Sequence, residues 1–240
     1  MEPIYVLKCT VPTAGVDCFD RMKPSFMLSL AQDMAGEHST LLGTSREALE
    51  KKRLFWAVIR QKVQITRPPA SRETITLETW PMPTTRTAYP RATVAYDEGG
   101  NEVFRCISLW VLMDLDTRAM ILPGKSGVTV EGLLRGSELS IPGSLAPRAM
   151  EHTLERTVRF TELDINGHLN NCRYLDWVDD LMDSDFHREH PVKEFSISYL
   201  SEAQEGAKVA LTWEFGEDGA LYVDSKNDAG HRVFAAKMLF

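Results

Sequence analysis

GNEVFRCISLW, residues 100–110, recurs near the other end of the chain as GHRVFAAKMLF, residues 230–240. Both copies begin with glycine, carry Val-Phe at their fourth and fifth positions and are rich in apolar residues, as a buried strand is. Two further pairs of segments match in the same order: VQIT at Val63–Thr66 with FSIS at Phe195–Ser198, and TITLETW ending at Trp80 with KVALTW ending at Trp213. Because the matches keep their order, we expect the chain to contain one structural unit twice.

Each half is predicted to have a strand, then a helix, then a run of antiparallel strands. Pro24–Leu42 has apolar residues at helical spacing and ends at Gly43, and the second helix is expected at Asn171–Met182. The predicted strands are Ile4–Val11, Leu54–Thr66, Thr74–Trp80, Ala88–Tyr96, Val103–Met113, Leu154–Phe160, Phe195–Tyr199, Lys208–Phe215, Ala220–Ser225 and Arg232–Leu239. A sheet that wraps one central helix in this order is typical of a hotdog domain, so the predicted fold class is α+β, a double hotdog.

The composition between the halves changes to Pro, Gly and Ser, and the periodicity fades. We therefore predict an N-terminal hotdog unit at 1–120, a linker at 121–150 and a C-terminal hotdog unit at 151–240.

The bulk composition is that of an ordinary globular protein, with 43% hydrophobic and 25% charged residues. A net charge of −7 argues against nucleic acid as a partner. The cysteines form no C-x-x-C pair, and we expect neither a metal site nor a cofactor. Without a signal-peptide pattern or an apolar run long enough to span a bilayer, we expect no membrane association and a cytoplasmic location.

The polar residues of Asp164-Ile-Asn-Gly-His168-Leu-Asn-Asn171 stand immediately before the second predicted helix. Taken singly they have an ordinary explanation, because Asn-Gly is a common turn and Asp or Asn commonly caps a helix. Capping needs only one of them, whereas Asp164, Asn166 and His168 alternate on one short loop. We therefore interpret the cluster as catalytic, with backbone N–H groups near Gly167 and His168 able to stabilise negative charge on a carbonyl oxygen.

This segment resembles the active-site motif of the acyl-acyl carrier protein (acyl-ACP) thioesterases of plants and bacteria, D-x-N-x-H-x-N-N-x-x-Y-x-x-W. The fixed positions are met by Asp164, Asn166, His168, Asn170, Asn171, Tyr174 and Trp177. LFWAVIRQKVQITRPP and SLWVLMDLDTRAMILP are also similar to segments of that family's first half. The resemblance implies a double hotdog that hydrolyses acyl thioesters of acyl carrier protein and so ends fatty acid elongation.

The resemblance also implies a fourth catalytic residue, Glu202, in a stretch that matches the family pattern Y-R-R-E-C. Ala203 stands where that pattern often has Cys, which argues for a carboxylate mechanism. Aligning Val63 with Phe195 places Ala70 opposite Glu202, and no N-x-H occurs before the first helix. The first unit is therefore expected to be catalytically empty and to provide the acyl-chain pocket.

Several alternatives remain open from the sequence. Either Glu202 or Asp164 could be the base or the nucleophile, and the carrier could be acyl carrier protein or coenzyme A. A non-catalytic acyl-binding protein is the alternative from a different class, and a homodimer is as open as a monomer. A basic surface for an acidic carrier protein is expected from Lys51, Lys52, Arg53, Arg67, Arg72, Arg86 and Arg91.

Overall fold

The computed structural model describes residues 2–135 and 139–240, so that residues 136–138 of the predicted linker lie outside the described part. The chain divides into two compact units, Met1–Pro142 and Gly143–Phe240. Both units combine helices with an antiparallel sheet, which confirms the α+β class.

Unit 1 (Met1–Pro142) has a long helix and a strongly paired sheet. Its elements are β1 (Tyr5–Thr10), α1 (Pro24–Leu41), α2 (Arg46–Glu50), β2 (Leu54–Ile65), β3 (Thr74–Pro81), β4 (Tyr89–Tyr96), β5 (Glu102–Asp114), β6 (Met120–Ile121) and α3 (Pro123–Ser126). The strand order is β1-β3-β4-β5-β2, with β6 beside β5. The buried face of α1 includes Met27, Leu28, Ala31, Met34 and Ala35, which recur at helical spacing.

Unit 2 (Gly143–Phe240) has the same order of strands and shorter helices. Its elements are β7 (His152–Thr157), α4 (Arg173–Asp179), α5 (Ser184–Glu189), β8 (Glu194–Tyr199), β9 (Lys208–Phe215), β10 (Leu221–Asn227) and β11 (Arg232–Leu239). The strand order β7-β9-β10-β11-β8 repeats that of unit 1 when each strand is matched to its counterpart. The predicted repeat therefore corresponds to a repeated topology.

The predicted second helix, Asn171–Met182, is wrong at both ends, because α4 begins at Arg173 and ends at Asp179. Acidic residues crowd its last turn, where the negative end of the helix dipole opposes them. Asp183 then begins a separate helix, since its side chain accepts a hydrogen bond from Phe186 N at 2.8 Å.

Residues after α3 pack against the core of unit 1. Val128 is buried with Tyr89, whose hydroxyl donates to the Val128 carbonyl oxygen at 3.2 Å. Leu133 N donates to Pro81 O at 2.9 Å. Gly132, next to Leu133, lies so close to the backbone of Pro83 that an added Cβ would be 2.3 Å from Pro83 N.

We expect Gly132→Ala to destabilise the protein by about 1–3 kcal/mol, because the new methyl group meets backbone that cannot move away cheaply. Thermal unfolding of the variant measures the effect. Gly124→Ala is the matched control, because nothing lies within 4 Å of a Cβ added there. Equal melting temperatures for the two variants would show that residues 127–135 do not pack in this way.

Candidate active site

The loop from Asp164 to His168 is a tight turn organised by the Asp164 carboxylate. Its Oδ1 accepts hydrogen bonds from Asn166 N at 2.8 Å and His168 N at 3.2 Å, and its Oδ2 accepts one from the Asn166 side chain at 3.2 Å. Asp164 N donates to His168 O at 2.8 Å, and Gly167 N donates to Asp164 O at 3.0 Å. Gly167 has φ +77°, a conformation that glycine adopts without strain.

These contacts correct the expected oxyanion site. The backbone N–H groups of Gly167 and His168 already donate to Asp164, so they are not available to a carbonyl oxygen. Sequence reasoning missed this because a turn residue that accepts local N–H groups looks the same as a catalytic carboxylate. Donors for an oxyanion must therefore come from side chains or from elsewhere in the site.

Asn170 connects the loop to α4. Its Oδ1 accepts from Cys172 N at 2.9 Å, and its own N–H donates to Glu162 O at 2.9 Å. The N-cap of α4 is Cys172, which forms no side-chain capping bond, so the expectation that an Asn of this stretch caps the helix is wrong. Asn170 closes the turn before the helix. Asn171 instead uses its carbonyl oxygen, which accepts from the Tyr199 hydroxyl at 3.2 Å.

His168 and Glu202 are brought together by backbone pairing between the loop and the segment after β8. Leu169 N donates to Ala203 O at 2.8 Å, and His168 forms an isolated β-bridge with Gln204. The His168 Nε2 atom lies 3.5 Å from Glu202 Oε2. The His168 side chain is 17% exposed and the Glu202 side chain is 51% exposed. The carboxylate is therefore open to solvent, whereas the imidazole is largely buried. All four residues singled out in the sequence thus lie in unit 2 within one connected set of contacts.

Tyr174 lies beneath this cluster in the core of unit 2. Its ring packs against Tyr199 and Phe234, with centroids 5.8 and 4.7 Å away. Burial raises the pKa of Tyr174, and the carboxylates of Glu202 and Asp164 raise it further. The phenol is therefore neutral. Its ring packs in the core next to the site and adds no charge to it.

Glu162 is a supporting residue that sequence reasoning missed. Its Oε1 accepts from Trp177 Nε1 at 2.7 Å, and its Oε2 accepts from Arg159 N at 2.7 Å. It therefore ties the turn before the Asp164 loop to α4. The sequence offered one indication of this role. Trp177 needs a hydrogen-bond acceptor for its indole N–H when it is buried, and Glu162 precedes it on the same short segment.

Unit 1 contains the same turn with different side chains. Asp17 Oδ1 accepts from Phe19 N at 2.8 Å and Arg21 N at 3.0 Å, and Asp17 N donates to Arg21 O at 2.8 Å. Asp20 takes the position of Gly167, with φ +59°. Arg21 thus stands where unit 2 has His168, and Phe19 stands where it has Asn166.

The counterpart of Glu202 is Pro68, and the expected alignment with Ala70 is wrong by two residues. Thr66 N and Arg67 N both donate to Val103 O, as Leu200 N and Ser201 N both donate to Val233 O. A shift of two residues keeps the alternation of buried and exposed side chains in a strand, so the pattern alone could not detect it. Unit 1 has no acid–base pair at this place, and its lack of catalytic activity stays a prediction.

The expected basic surface is smaller than the sequence indicated. Arg53 pairs with Asp116, Arg67 pairs with Glu73, and Arg91 is buried at 7% exposure. The exposed basic residues that remain from that set are Lys51, Lys52, Arg72 and Arg86.

In residues 2–135 and 139–240, no three or more His, Cys, Asp or Glu side chains are arranged to hold a metal ion. Within the same part of the chain, no helix combines the length and apolar character needed to cross a membrane.

Comparison of sequences and structures relates both units to known proteins. Residues 3–122 match the family model Acyl-ACP thioesterase N-terminal domain, and residues 146–239 match the Acyl-ACP thioesterase C-terminal domain. The chain is 27% identical over 196 residues to the chloroplastic oleoyl-acyl carrier protein thioesterase of Coriandrum sativum, which covers 73% of this chain and 53% of that protein. It is 28% identical over 169 residues to the chloroplastic dodecanoyl-[acyl-carrier-protein] hydrolase of Cinnamomum camphora, covering 67% of this chain and 44% of that protein. The chain therefore spans about half the length of the curated relatives it matches.

Two solved structures show the same fold at low sequence identity. An acyl-ACP thioesterase from Bacteroides thetaiotaomicron has a TM-score of 0.90 and 21% identity, and the match covers 99% of this chain and 98% of that one. The 12:0-ACP thioesterase from Umbellularia californica has a TM-score of 0.83 and 20% identity, covering 100% of this chain and 97% of that one. The fold is thus the double hotdog expected from the repeat. Since the two family models together span nearly the whole sequence, the chain belongs to the acyl-ACP thioesterase family.

Proposed function

We propose that this chain hydrolyses the thioester of acyl-acyl carrier protein and releases the free fatty acid, which ends chain elongation. The observation that carries the proposal is the contact between His168 Nε2 and Glu202 Oε2 at 3.5 Å. An imidazole beside a half-exposed carboxylate is an arrangement that can take a proton from water and return one to a leaving group. Membership in the thioesterase family supplies the reaction class for that pair.

In the proposed mechanism, a water molecule beside Glu202 attacks the thioester carbonyl carbon. Its proton passes to the Glu202 carboxylate, beside which the His168 imidazole lies, and the carbonyl oxygen becomes an oxyanion. When the C–S bond breaks, the thiolate receives a proton from the Glu202–His168 pair. The products are the fatty acid and the free thiol of the carrier.

Asp164 has a positioning role in this proposal. Its Oδ1 accepts two backbone N–H groups, and its Oδ2 accepts from the Asn166 side chain. Both oxygens of Asp164 thus accept hydrogen bonds within its own turn, which favours the half-exposed Glu202 over Asp164 as the reacting carboxylate. Asn166 is exposed and lies on the same turn as His168, where its amide can orient the thioester.

A panel of acyl-ACP and acyl-CoA thioesters of increasing chain length, assayed for thiol release, tests the function. We expect kcat/KM to be higher for the acyl carrier protein series than for the coenzyme A series at every length. Higher kcat/KM values for the acyl-CoA series would mean that the physiological carrier is coenzyme A and not acyl carrier protein. No thiol release from any thioester, together with tight binding of the acyl chain, would favour a non-catalytic acyl-binding protein.

The charge distribution supports docking of an acidic carrier on unit 1. Seventeen Lys and Arg residues stand against 16 Asp and Glu residues in residues 1–142, whereas ten stand against 18 in residues 143–240. Lys51 and Lys52 are exposed at the end of α2, where Lys52 Nζ donates to Gly127 O at 3.1 Å. An acidic partner is attracted to such a site by charges that salt screens within about 8 Å at physiological ionic strength.

Reversal of charge in Lys51→Glu/Lys52→Glu is expected to raise KM for acyl-ACP about tenfold and to leave kcat unchanged, because surface charges act on encounter. Steady-state kinetics at low and physiological salt measures the effect. Lys226→Glu, an exposed reversal in unit 2, is the control. An equal rise in KM for Lys226→Glu would refute a specific landing site at α2.

The cytoplasmic location expected from the sequence stays a prediction. The names of the plant relatives place those proteins in chloroplasts.

A further inference from the structure

Arg91 in β4 is a buried arginine whose contacts are confined to one nitrogen atom. Nη1 lies 3.1 Å from His38 Nδ1 and 3.3 Å from Thr79 Oγ1, and the residue is only 7% exposed. Within the described residues, Nε and Nη2 have no hydrogen-bond partner, and no carboxylate pairs with this guanidinium. This is unusual, because a buried charge is normally compensated by an opposite charge.

The groups around Arg91 are neutral and already satisfied. The Thr79 hydroxyl donates to Ala92 O at 2.8 Å and accepts from the Thr93 hydroxyl at 3.0 Å. His38 Nε2 lies 3.2 Å from the carbonyl oxygen of Glu2, so His38 donates there and accepts from Arg91 with its other nitrogen. None of these groups can neutralise the guanidinium.

The protonation states follow from the same burial. Burial lowers the pKa of His38, and the charge of Arg91 lowers it further, so the imidazole is neutral at neutral pH. Burial lowers the pKa of Arg91 to about 10, which still leaves it cationic. Unit 1 therefore contains a desolvated positive charge that its own residues do not balance.

The unused edge of Arg91 has a definite chemical preference. Nε and Nη2 form the edge of a guanidinium that binds a carboxylate through two parallel N–H···O bonds. On α1, His38 follows Met34 and Ala35 at the end of the buried apolar stripe. Met34 and Ala35 are themselves buried, at 1% and 5% exposure, so the rest of a ligand whose carboxylate reaches Arg91 would have to pack among apolar side chains of α1.

We propose that the Nε–Nη2 edge of Arg91 binds the carboxylate of an aliphatic carboxylic acid in unit 1. The carboxylate has two chemical sources: a released fatty acid, or an acyl chain that carries a second carboxylate at its far end. Binding itself does not depend on the reaction proposed for unit 2, and only the assignment of the source rests on that proposed function.

The binding test compares octanoate with octanol, which has the same chain without the charge, by isothermal titration calorimetry on the full chain. We expect the wild type to bind octanoate at least tenfold more tightly than octanol. Arg91→Met should weaken octanoate binding about 10- to 100-fold, since charge-assisted bonds are lost, and should leave octanol binding unchanged. Arg91→Lys should fall between them, because an ammonium group cannot form the two parallel bonds.

Two controls separate this site from others. Arg86→Gln removes an exposed arginine in the turn before β4 and should bind both ligands as the wild type does. Glu202→Gln should also retain octanoate binding, which would distinguish Arg91 from a product site at the catalytic cluster. Far-UV circular dichroism establishes whether each variant is folded. If Arg91→Met does not fold, the comparison of Arg91→Lys with the wild type still tests the proposal.

Equal binding of octanoate and octanol by the wild type would overturn the proposal, as would an undiminished preference for octanoate in folded Arg91→Met or Arg91→Lys. The source is assigned with acyl-ACP thioesters of equal length with and without a terminal carboxylate. A 10- to 100-fold loss of kcat/KM in the Arg91 variants for the terminal carboxylate alone identifies the acyl chain, and no such selective loss identifies the released acid. If the wild type hydrolyses neither thioester, the proposed function fails while the calorimetric result stands.

Discussion

Glu202→Gln is expected to reduce kcat for acyl-thioester hydrolysis about 10²- to 10⁴-fold, the range for loss of a general base. The amide keeps the size of the side chain but cannot accept the proton of the attacking water. His168→Gln should have an effect of similar size, because Nε2 of His168 lies 3.5 Å from Oε2 of Glu202 and the two exchange the same proton. Thiol release from acyl-ACP measures kcat and KM for each variant.

The fold should survive both substitutions, since Glu202 is half exposed and the β-bridge of His168 to Gln204 uses backbone atoms. Near wild-type kcat for Glu202→Gln would remove this residue from the active set and return Asp164 as the candidate carboxylate. Equal melting temperatures are the control, because a loss of fold would also lower turnover.

Asp164→Ala is expected to remove most turnover by releasing the loop, and Asp17→Ala is its matched control in unit 1. Each substitution deletes a carboxylate that accepts two backbone N–H groups of a five-residue turn. Each should therefore cost about 1 kcal/mol of unfolding free energy. Only the Asp164 turn holds a histidine next to a carboxylate, so only Asp164→Ala should lower kcat, by about 10²-fold or more.

Thermal unfolding and thiol-release kinetics on the two variants separate structure from catalysis. Similar losses of stability with very different losses of kcat are the expected result. A comparable fall in kcat for Asp17→Ala would mean that the turn in unit 1 also contributes to the reaction, which would contradict its assignment as structural.

That the two units share one strand order could be predicted from the repeat of GNEVFRCISLW as GHRVFAAKMLF, because the two copies form β5 and β11, which have the same place in the strand orders of their units. The local register between the repeats could not be predicted. Val63 corresponds to Ile197 rather than to Phe195, as the pairing of Val63 with Cys106 and of Ile197 with Ala236 shows. A slip of two residues leaves every side chain on the same face, so the apolar pattern contains no information against it.

The candidate site could be predicted in its members but not in their contacts. Asp164, Asn166 and His168 are adjacent in sequence, and the resemblance to a known motif identified them together with Glu202. The contact between His168 and Glu202 depends on backbone pairing of Leu169 with Ala203, a long-range feature that local spacing does not encode. Arg91 is a second example of a long-range feature. The sequence predicts it on a basic surface, but packing of the rest of unit 1 buries it.

A double-mutant cycle on kcat/KM for acyl-ACP hydrolysis tests whether His168 and Glu202 act as one catalytic unit. Residues that share one proton transfer show non-additive losses. We predict that His168→Gln/Glu202→Gln is no slower than the slower single variant, within about threefold. A double variant whose loss equals the product of the two single losses would show that the two residues act independently and would rule out a shared proton transfer.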